Sequence, residues 1–175
     1  MSVERRNFPQ FFITSPAPCP YIEGRIERKV FTHLINKDAQ KLHDALSQGG
    51  FRRSQNIAYR PACDGCSACI SVRVPVASFD WNRSFRRSVR RNRDLVDQQT
   101  VAKATSEQYS LFRSYIEVRH DDGGMADMTV LDFSSMINES FVNTQLIEYR
   151  LPRDITLAGT SAAGGELVAA SLVDT

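Results

Sequence analysis

Apolar and polar positions alternate along the chain with two distinct periods. Residues 9–24 carry Pro9, Pro16, Pro18, Pro20 and Gly24 and read as ordered loop. A short strand is expected over 25–34. Over 37–48 the period lengthens to that of a helix: Ala39, Leu42, Ala45 and Leu46 form one face, Asn36 is the expected N-cap, and Gly49-Gly50 stops it. The stretch 51–60 reads as a strand with Ile57 and Tyr59 on one side. Over 70–76, Ile70, Val72, Val74 and Val76 alternate with Ser71, Arg73 and Pro75, which predicts a half-buried strand ending near its proline.

The second half returns to helical spacing. One helix is expected over 83–98. A second, over 106–119, opens with the capping-box pattern Thr105-x-x-Gln108 and ends before Gly123-Gly124. Tyr109, Leu111, Phe112, Tyr115, Ile116 and Val118 cover most of its circumference, so burial all round is expected. A short helix over 133–140, capped by Asp132, precedes two strands over 144–149 and 166–173, joined by a long loop rich in Gly, Ala, Ser and Pro. The pattern is α+β. The chain closes on an apolar strand, and a half-buried sheet needs more neighbours, so it reads as part of a longer protein.

Composition narrows the class. At 175 residues and 42% hydrophobic, the chain holds one ordinary domain or two small ones. The end of the strand over 70–76 and a shift in composition put the division at 1–77 and 78–175. No apolar run approaches the length of a membrane span, and the N-terminus lacks the apolar segment of a signal peptide, which points to a cytoplasmic protein without membrane partners. The formal net charge is only +2. Its distribution matters more: arginines crowd one short segment, and residues 117–148 are rich in Asp and Glu.

That segment holds Arg83, Arg86, Arg87, Arg90, Arg91 and Arg93. On a helix all six fall on one broad face, opposite Phe85, Val89, Asn92 and Val96. Like charges so close repel one another, and a polyanion would offset the repulsion because guanidinium forks match phosphate oxygens. RNA is the favoured partner, and a solvated helix face is the alternative. Phe79 and Trp81, just upstream, either stack on a base or pack.

The four cysteines are spent unevenly: Cys63-Asp-Gly-Cys66-Ser-Ala-Cys69 in one loop, and Cys19 in Pro18-Cys19-Pro20. Two-residue gaps let neighbouring thiolates turn onto one ion, and Gly65 permits the turn. Four thiolates suit tetrahedral zinc or an iron–sulfur cluster. Reactive redox thiols and thiols without any ligand are the other two readings.

Longer strings carry a resemblance. Cys19-Pro-Tyr-Ile-Glu-Gly-Arg-Ile-Glu-Arg-Lys-Val-Phe-Thr resembles the start of the bacterial leucyl branch of the arginyl-tRNA–protein transferase family. So does Gly50-Phe-Arg-Arg-Ser-Gln-Asn-Ile-Ala-Tyr-Arg-Pro-Ala-Cys63 with Cys66 and Cys69. Phe85-Arg-Arg-Ser-Val-Arg-Arg-Asn, Tyr115-Ile-Glu-Val-Arg-His120, Asp122-Gly-Gly-Met125 and Leu146-Ile-Glu-Tyr-Arg150 continue it in order. The resemblance implies transfer of leucine from leucyl-tRNA to proteins that begin with Asp or Glu, which marks them for N-degron degradation. It also implies a cysteine-bearing N-terminal region followed by a GNAT (acetyltransferase)-like domain, incomplete here because family members continue with further strands and a helix. The loop 151–165 is longer than is usual in the family. Eukaryotic relatives are associated with an iron–sulfur cluster on N-terminal cysteines of different spacing.

Such a reaction starts from an activated ester, so ATP and acyl-CoA are not needed. It needs two positioned partners, a proton acceptor and an oxyanion stabiliser. His120 is the general-base candidate by residue type, against an ordinary role at a helix C-terminus. Arg52, Arg53 and Arg60 around Tyr59 are candidates for the acceptor's carboxylate, with Arg28 and Lys29 behind them. Glu148 is placed to meet the amine or to sit as sheet-surface charge. Asp122-Gly-Gly-Met125 reads as a turn open to ligand contact. A metal-stapled RNA-binding module and a thiol redox sensor are the readings from other classes.

Overall fold

In the computed structural model, which describes residues 9–152 and 164–175, the strand expected over 25–34 breaks at Arg28. The chain opens with β1 (Phe12–Ile13), β2 (Ala17–Pro18) and β3 (Ile26–Glu27), and continues with β4 (Lys29–His33). The break has a local cause: the Arg28 carbonyl accepts from Ala62 N at 2.8 Å, and its amide points at Cys63 Sγ, 3.5 Å away.

Helix α1 (Ala39–Gln48) starts later than expected. Its N-cap is Asp38, and Asn36 instead sits at φ 78°, its Oδ1 accepting from Asp38 N in an Asx turn. The single strand expected over 51–60 is a hairpin, β5 (Arg52–Ser54) and β6 (Ile57–Pro61), reversed at Gln55 with φ 50°. Together these strands form an antiparallel sheet in the order β1-β4-β6-β5, and β2 pairs with β3 separately. Thr32 lies opposite Ala58 on the covered face, where both are buried with Leu34 and Ala39. Phe31 lies opposite Tyr59 on the other face.

Residues 70–75 form no strand. Ile70, Val72 and Val74 are exposed, because Ser71 and Arg73 hold the segment by its polar side: Ser71 Oγ donates to Gly50 O at 2.9 Å and Arg73 to Gln48 Oε1 at 2.6 Å. Alternation was present, but no neighbouring strand completes a ladder. The chain divides into two compact units between Val74 and Pro75.

The second unit holds α2 (Arg83–Arg91), β7 (Val96–Val101), α3 (Ser106–Arg119), α4 (Val130–Asn138), β8 (Thr144–Arg150) and β9 (Leu167–Asp174). The helix expected over 83–98 therefore ends seven residues early. Asn92 closes it by returning N and Nδ2 to Ser88 O, and Val96–Val101 pairs antiparallel with β8 from Arg150 back to Gln145. Helix α3 has the expected bounds and both halves of its capping box: Gln108 N donates to Thr105 Oγ1, and Thr105 N to Gln108 Oε1. It is not buried all round, since Tyr115 and Val118 stay exposed. Helix α4 is capped by Thr129, and Asp132, the expected cap, is the third residue of a second capping box.

The sheet order is β7-β8-β9, antiparallel throughout. Thr144, Leu146 and Glu148 alternate onto one face of β8. Leu146 is buried there with Phe133 and Ile137 of α4, and Tyr109, Phe112, Met128 and Met136 pack around them. Removing a buried side chain of this kind costs about 2–5 kcal/mol. Most of the loop expected over 151–165 lies outside the described residues.

Candidate active site and nucleic-acid interface

A cavity of about 720 Å³ lies in the second unit against this core. Its walls are Leu111, Phe112 and Ile116 of α3, Phe133 and Met136 of α4, and Ala170 and Leu172 of β9. They share one side because Leu172 lies opposite Leu146, and Ala170 opposite Glu148, across the β8–β9 ladder. The wall is mostly apolar, with three polar side chains: Gln108, Tyr115 and His120.

His120 and Tyr115 make a pair at the C-terminal end of α3. Tyr115 Oη lies 3.2 Å from His120 Nε2, with rings edge to face. The turn after α3 is built tightly around the histidine. Gly123 N donates to His120 O at 3.0 Å, and a Cβ on Gly123 would come within 3.1 Å of that oxygen. Tyr109 and Arg113 reach across to the carbonyls of Met128 and Ala126 and hold the turn's far side. Gly123, Gly124 and Met125, from the Asp-Gly-Gly-Met string, thereby line the cavity.

At the other end of α3, Glu148 is buried and both its oxygens are taken. Gln108 Nε2 donates to Oε1 at 2.7 Å, and Arg150 Nε donates to Oε2 at 2.9 Å. Arg150 also forks onto Glu107, at 3.1 and 2.7 Å, and donates to Gly165 O. The hydrogen bond from Arg150 pulls the Glu107 carboxyl below its usual value, and the same bond raises Arg150. Glu148 thus tethers α3 to the sheet, and its carboxylate is not open to an incoming amine. Sequence reasoning missed Tyr115 and this network. A tyrosine five residues before a histidine at a helix end was the one available signal for the first.

In the first unit the four acceptor-site candidates divide. Arg52 and Tyr59 are cross-strand neighbours on one face, next to Lys29, whose Nζ lies 5.9 Å from the Tyr59 ring. Arg53 and Arg60 belong to the opposite face with Ala58. Arg60 lies over the Phe51 ring at 5.2 Å, and Arg53 donates to Gln55 O. Lys29 is raised above its usual value chiefly by its hydrogen bond to Glu27. Arg28 contributes backbone to the cysteine loop.

All four cysteines are free thiols. Cys19, Cys63 and Cys66 are half-buried and Cys69 is exposed. Cys66 N donates to Cys63 O across a turn with Gly65 at φ 64°, so the loop reverses as expected. Cys63 Sγ nevertheless faces the Arg28 backbone. Among the described residues no three His, Cys, Asp or Glu side chains gather for a metal ion. The thiols as placed do not make a closed tetrahedral set.

Helix α2 is exposed along its whole length. Arg83, Arg86, Arg87, Arg90 and Arg91 lie on it, and Arg93 in the turn that follows. Among the described residues none of the six has a carboxylate partner. Its first turn holds no acidic residue, and its N-cap Asn82 accepts from Phe85 N at 3.0 Å. The arginines at its N-terminal end oppose the helix dipole without relief. No helix among the described residues is long and apolar enough to cross a membrane.

Comparison with known proteins gives this arrangement a family. Residues 17–87 match the model described as "Arginine-tRNA-protein transferase, N terminus", and residues 107–175 match its C-terminus counterpart. A protein of Bradyrhizobium sp. (strain ORS 278), called aspartate/glutamate leucyltransferase, is 57% identical over 174 residues, covering 99% of this chain and 67% of its own length. The chain belongs to the arginine-tRNA–protein transferase family. Other family members carry the same name as the Bradyrhizobium protein. One from Afipia carboxidovorans is 55% identical over 99% of this chain and 67% of its own length, and one from Brucella ovis is 54% identical over 99% and 70%. No solved structure matches the chain.

Proposed function

We propose that this chain transfers leucine from leucyl-tRNA to the free α-amine of proteins whose first residue is Asp or Glu, and so marks them for degradation. The observation that carries this reading is identity of 54–57% along 99% of the chain to proteins named for that activity. The apolar cavity supports it, since a leucyl side chain is apolar and branched, and an arginyl donor would leave a charge among Phe112, Ile116 and Leu172. The sequence strand, two helices and two further antiparallel strands supports an acetyltransferase-like reading of the second unit.

The chemistry asks little of a cofactor. The neutral amine attacks the ester carbonyl, a C–N bond forms, and the bond to the ribose oxygen breaks. His120 accepts the proton lost by the amine, and the leaving oxygen is protonated. Tyr115, hydrogen-bonded to His120, orients the ring. Neither ATP nor acyl-CoA enters. The α2 arginines hold tRNA phosphates, and Arg52 with Tyr59 and Lys29 forms the face best suited to an acidic first residue.

The test is transfer of labelled leucine from charged tRNA to an Asp-starting peptide, with arginyl-tRNA and an Ala-starting peptide as contrasts. Leucine is expected on the Asp peptide alone. Binding of tRNA without transfer would favour the other reading that the exposed arginine helix supports, an RNA-binding module.

A further inference from the structure

The arginine helix carries more than charge. Phe79, Trp81 and Phe85 form a small aromatic ledge at its N-terminal end. The Phe79 and Trp81 rings meet edge to face, 5.2 Å apart at 86°, and Phe79 and Phe85 lie 5.0 Å apart. Phe79 is half-buried and props the other two, yet 50% of Trp81 and 44% of Phe85 stay exposed. An indole held upright by a phenyl edge and left open to water is costly surface unless something covers it.

The surroundings decide what fits. Five guanidinium groups stand along the adjoining helix and Arg93 follows in the turn, none with a carboxylate partner among the described residues, so the occupant must be anionic. It must also offer a flat apolar face at the end of its charged stretch. An unpaired nucleotide does both, whereas a base inside a duplex is already stacked on its neighbours. A bilayer would need a wide apolar stripe, and α2 supplies only Phe85 and Val89.

We propose that Trp81 is a stacking platform for an unpaired base of the bound RNA, and that the α2 arginines take the phosphates leading to it. This rests on the RNA-binding part of the function proposed above and adds to it a single-stranded contact at a named side chain.

Trp81 is the chain's only tryptophan, so its fluorescence reports this site alone. The full chain would be titrated with tRNA, with single-stranded oligoadenylate and with a blunt RNA duplex. Quenching by the first two, with little by the duplex even when anisotropy shows it bound, is expected. W81A should weaken oligoadenylate binding about tenfold, and W81F should restore it to within about threefold, because either ring stacks. The salt slope should be the same in both variants, since neither removes a phosphate contact.

Trp81 emission unchanged at saturation with tRNA, or W81A binding as tightly as the parent, overturns the proposal. So does quenching by anionic phosphatidylserine vesicles but not by RNA. The leucine-transfer assay separates the two levels of failure. Transfer with a silent Trp81 sinks the stacking contact alone, and loss of both RNA binding and transfer sinks the function as well.

Discussion

Two features of His120 meet at one residue: a ring that can exchange a proton and a hydrogen bond that aims it. Tyr115 Oη lies 3.2 Å from Nε2, and both side chains border the apolar cavity. Gln at position 120 can keep a hydrogen bond to Tyr115 but cannot accept a proton. H120Q should therefore lower kcat for leucine transfer by about a hundredfold or more, with KM for tRNA and the melting temperature unchanged. Steady-state transfer against each substrate measures this, and an unaltered kcat would remove His120 from the chemistry. The residue scale also shows what spacing leaves out. Cys63, Cys66 and Cys69 lie in the reversing loop that their spacing predicts, but a sulfur's direction depends on its rotamer and on what it faces. Cys63 faces the Arg28 backbone. Arg52, Arg53 and Arg60 look like one cationic cluster in the sequence, and the pleat sends them to two faces.

Elements were legible where their signals are local. The bounds of α3 follow from Thr105, Gln108 and the glycines beyond it, because a capping box involves residues three apart. They were not legible where a distant partner decides. Val96–Val101 is a strand only because β8, some fifty residues later, supplies its ladder, and Ile70–Val76 is not one because nothing does. The Glu107–Arg150–Glu148 tether is of the second kind: it joins the first turn of α3 to β8, and Leu167 N of β9 also donates to Glu107. It has a pH signature. Arg150 holds the Glu107 carboxyl below its ordinary 4.5, so near and below that value the unfolded chain binds more protons than the folded one. Stability from this contact is fully present above the ordinary value and is lost as pH falls through the folded one. E107Q should lower the urea midpoint slightly at neutral pH, because the carboxylate is half-exposed and screened. It should also flatten the fall of the midpoint as pH drops below the ordinary 4.5 of a glutamate. Parallel acid limbs in parent and variant would show that the tether does not couple to folding.

For the whole molecule, net charge and local charge make different forecasts. A formal charge of +2 on 175 residues would attract a polyanion weakly. The Debye length of about 8 Å at physiological salt, however, means that a phosphate meets only the charges near it, and along α2 these are all arginines. Two double variants with the same effect on net charge separate the views. R87A/R90A and K37A/K41A each take the formal charge from +2 to 0. Lys37, just before α1, and Lys41, in its first turn, are exposed and belong to the other unit. If RNA responds to the summed charge, both pairs weaken binding alike. If it lies along α2, R87A/R90A alone should reduce the slope of log K against log salt by about one to two. It should also raise KM for leucyl-tRNA severalfold and leave kcat unchanged, because phosphate contacts made equally in ground and transition states do not alter the chemical step. Equal salt slopes for the two variants would move the RNA off α2, and the Trp81 platform would lose its arginine approach with it.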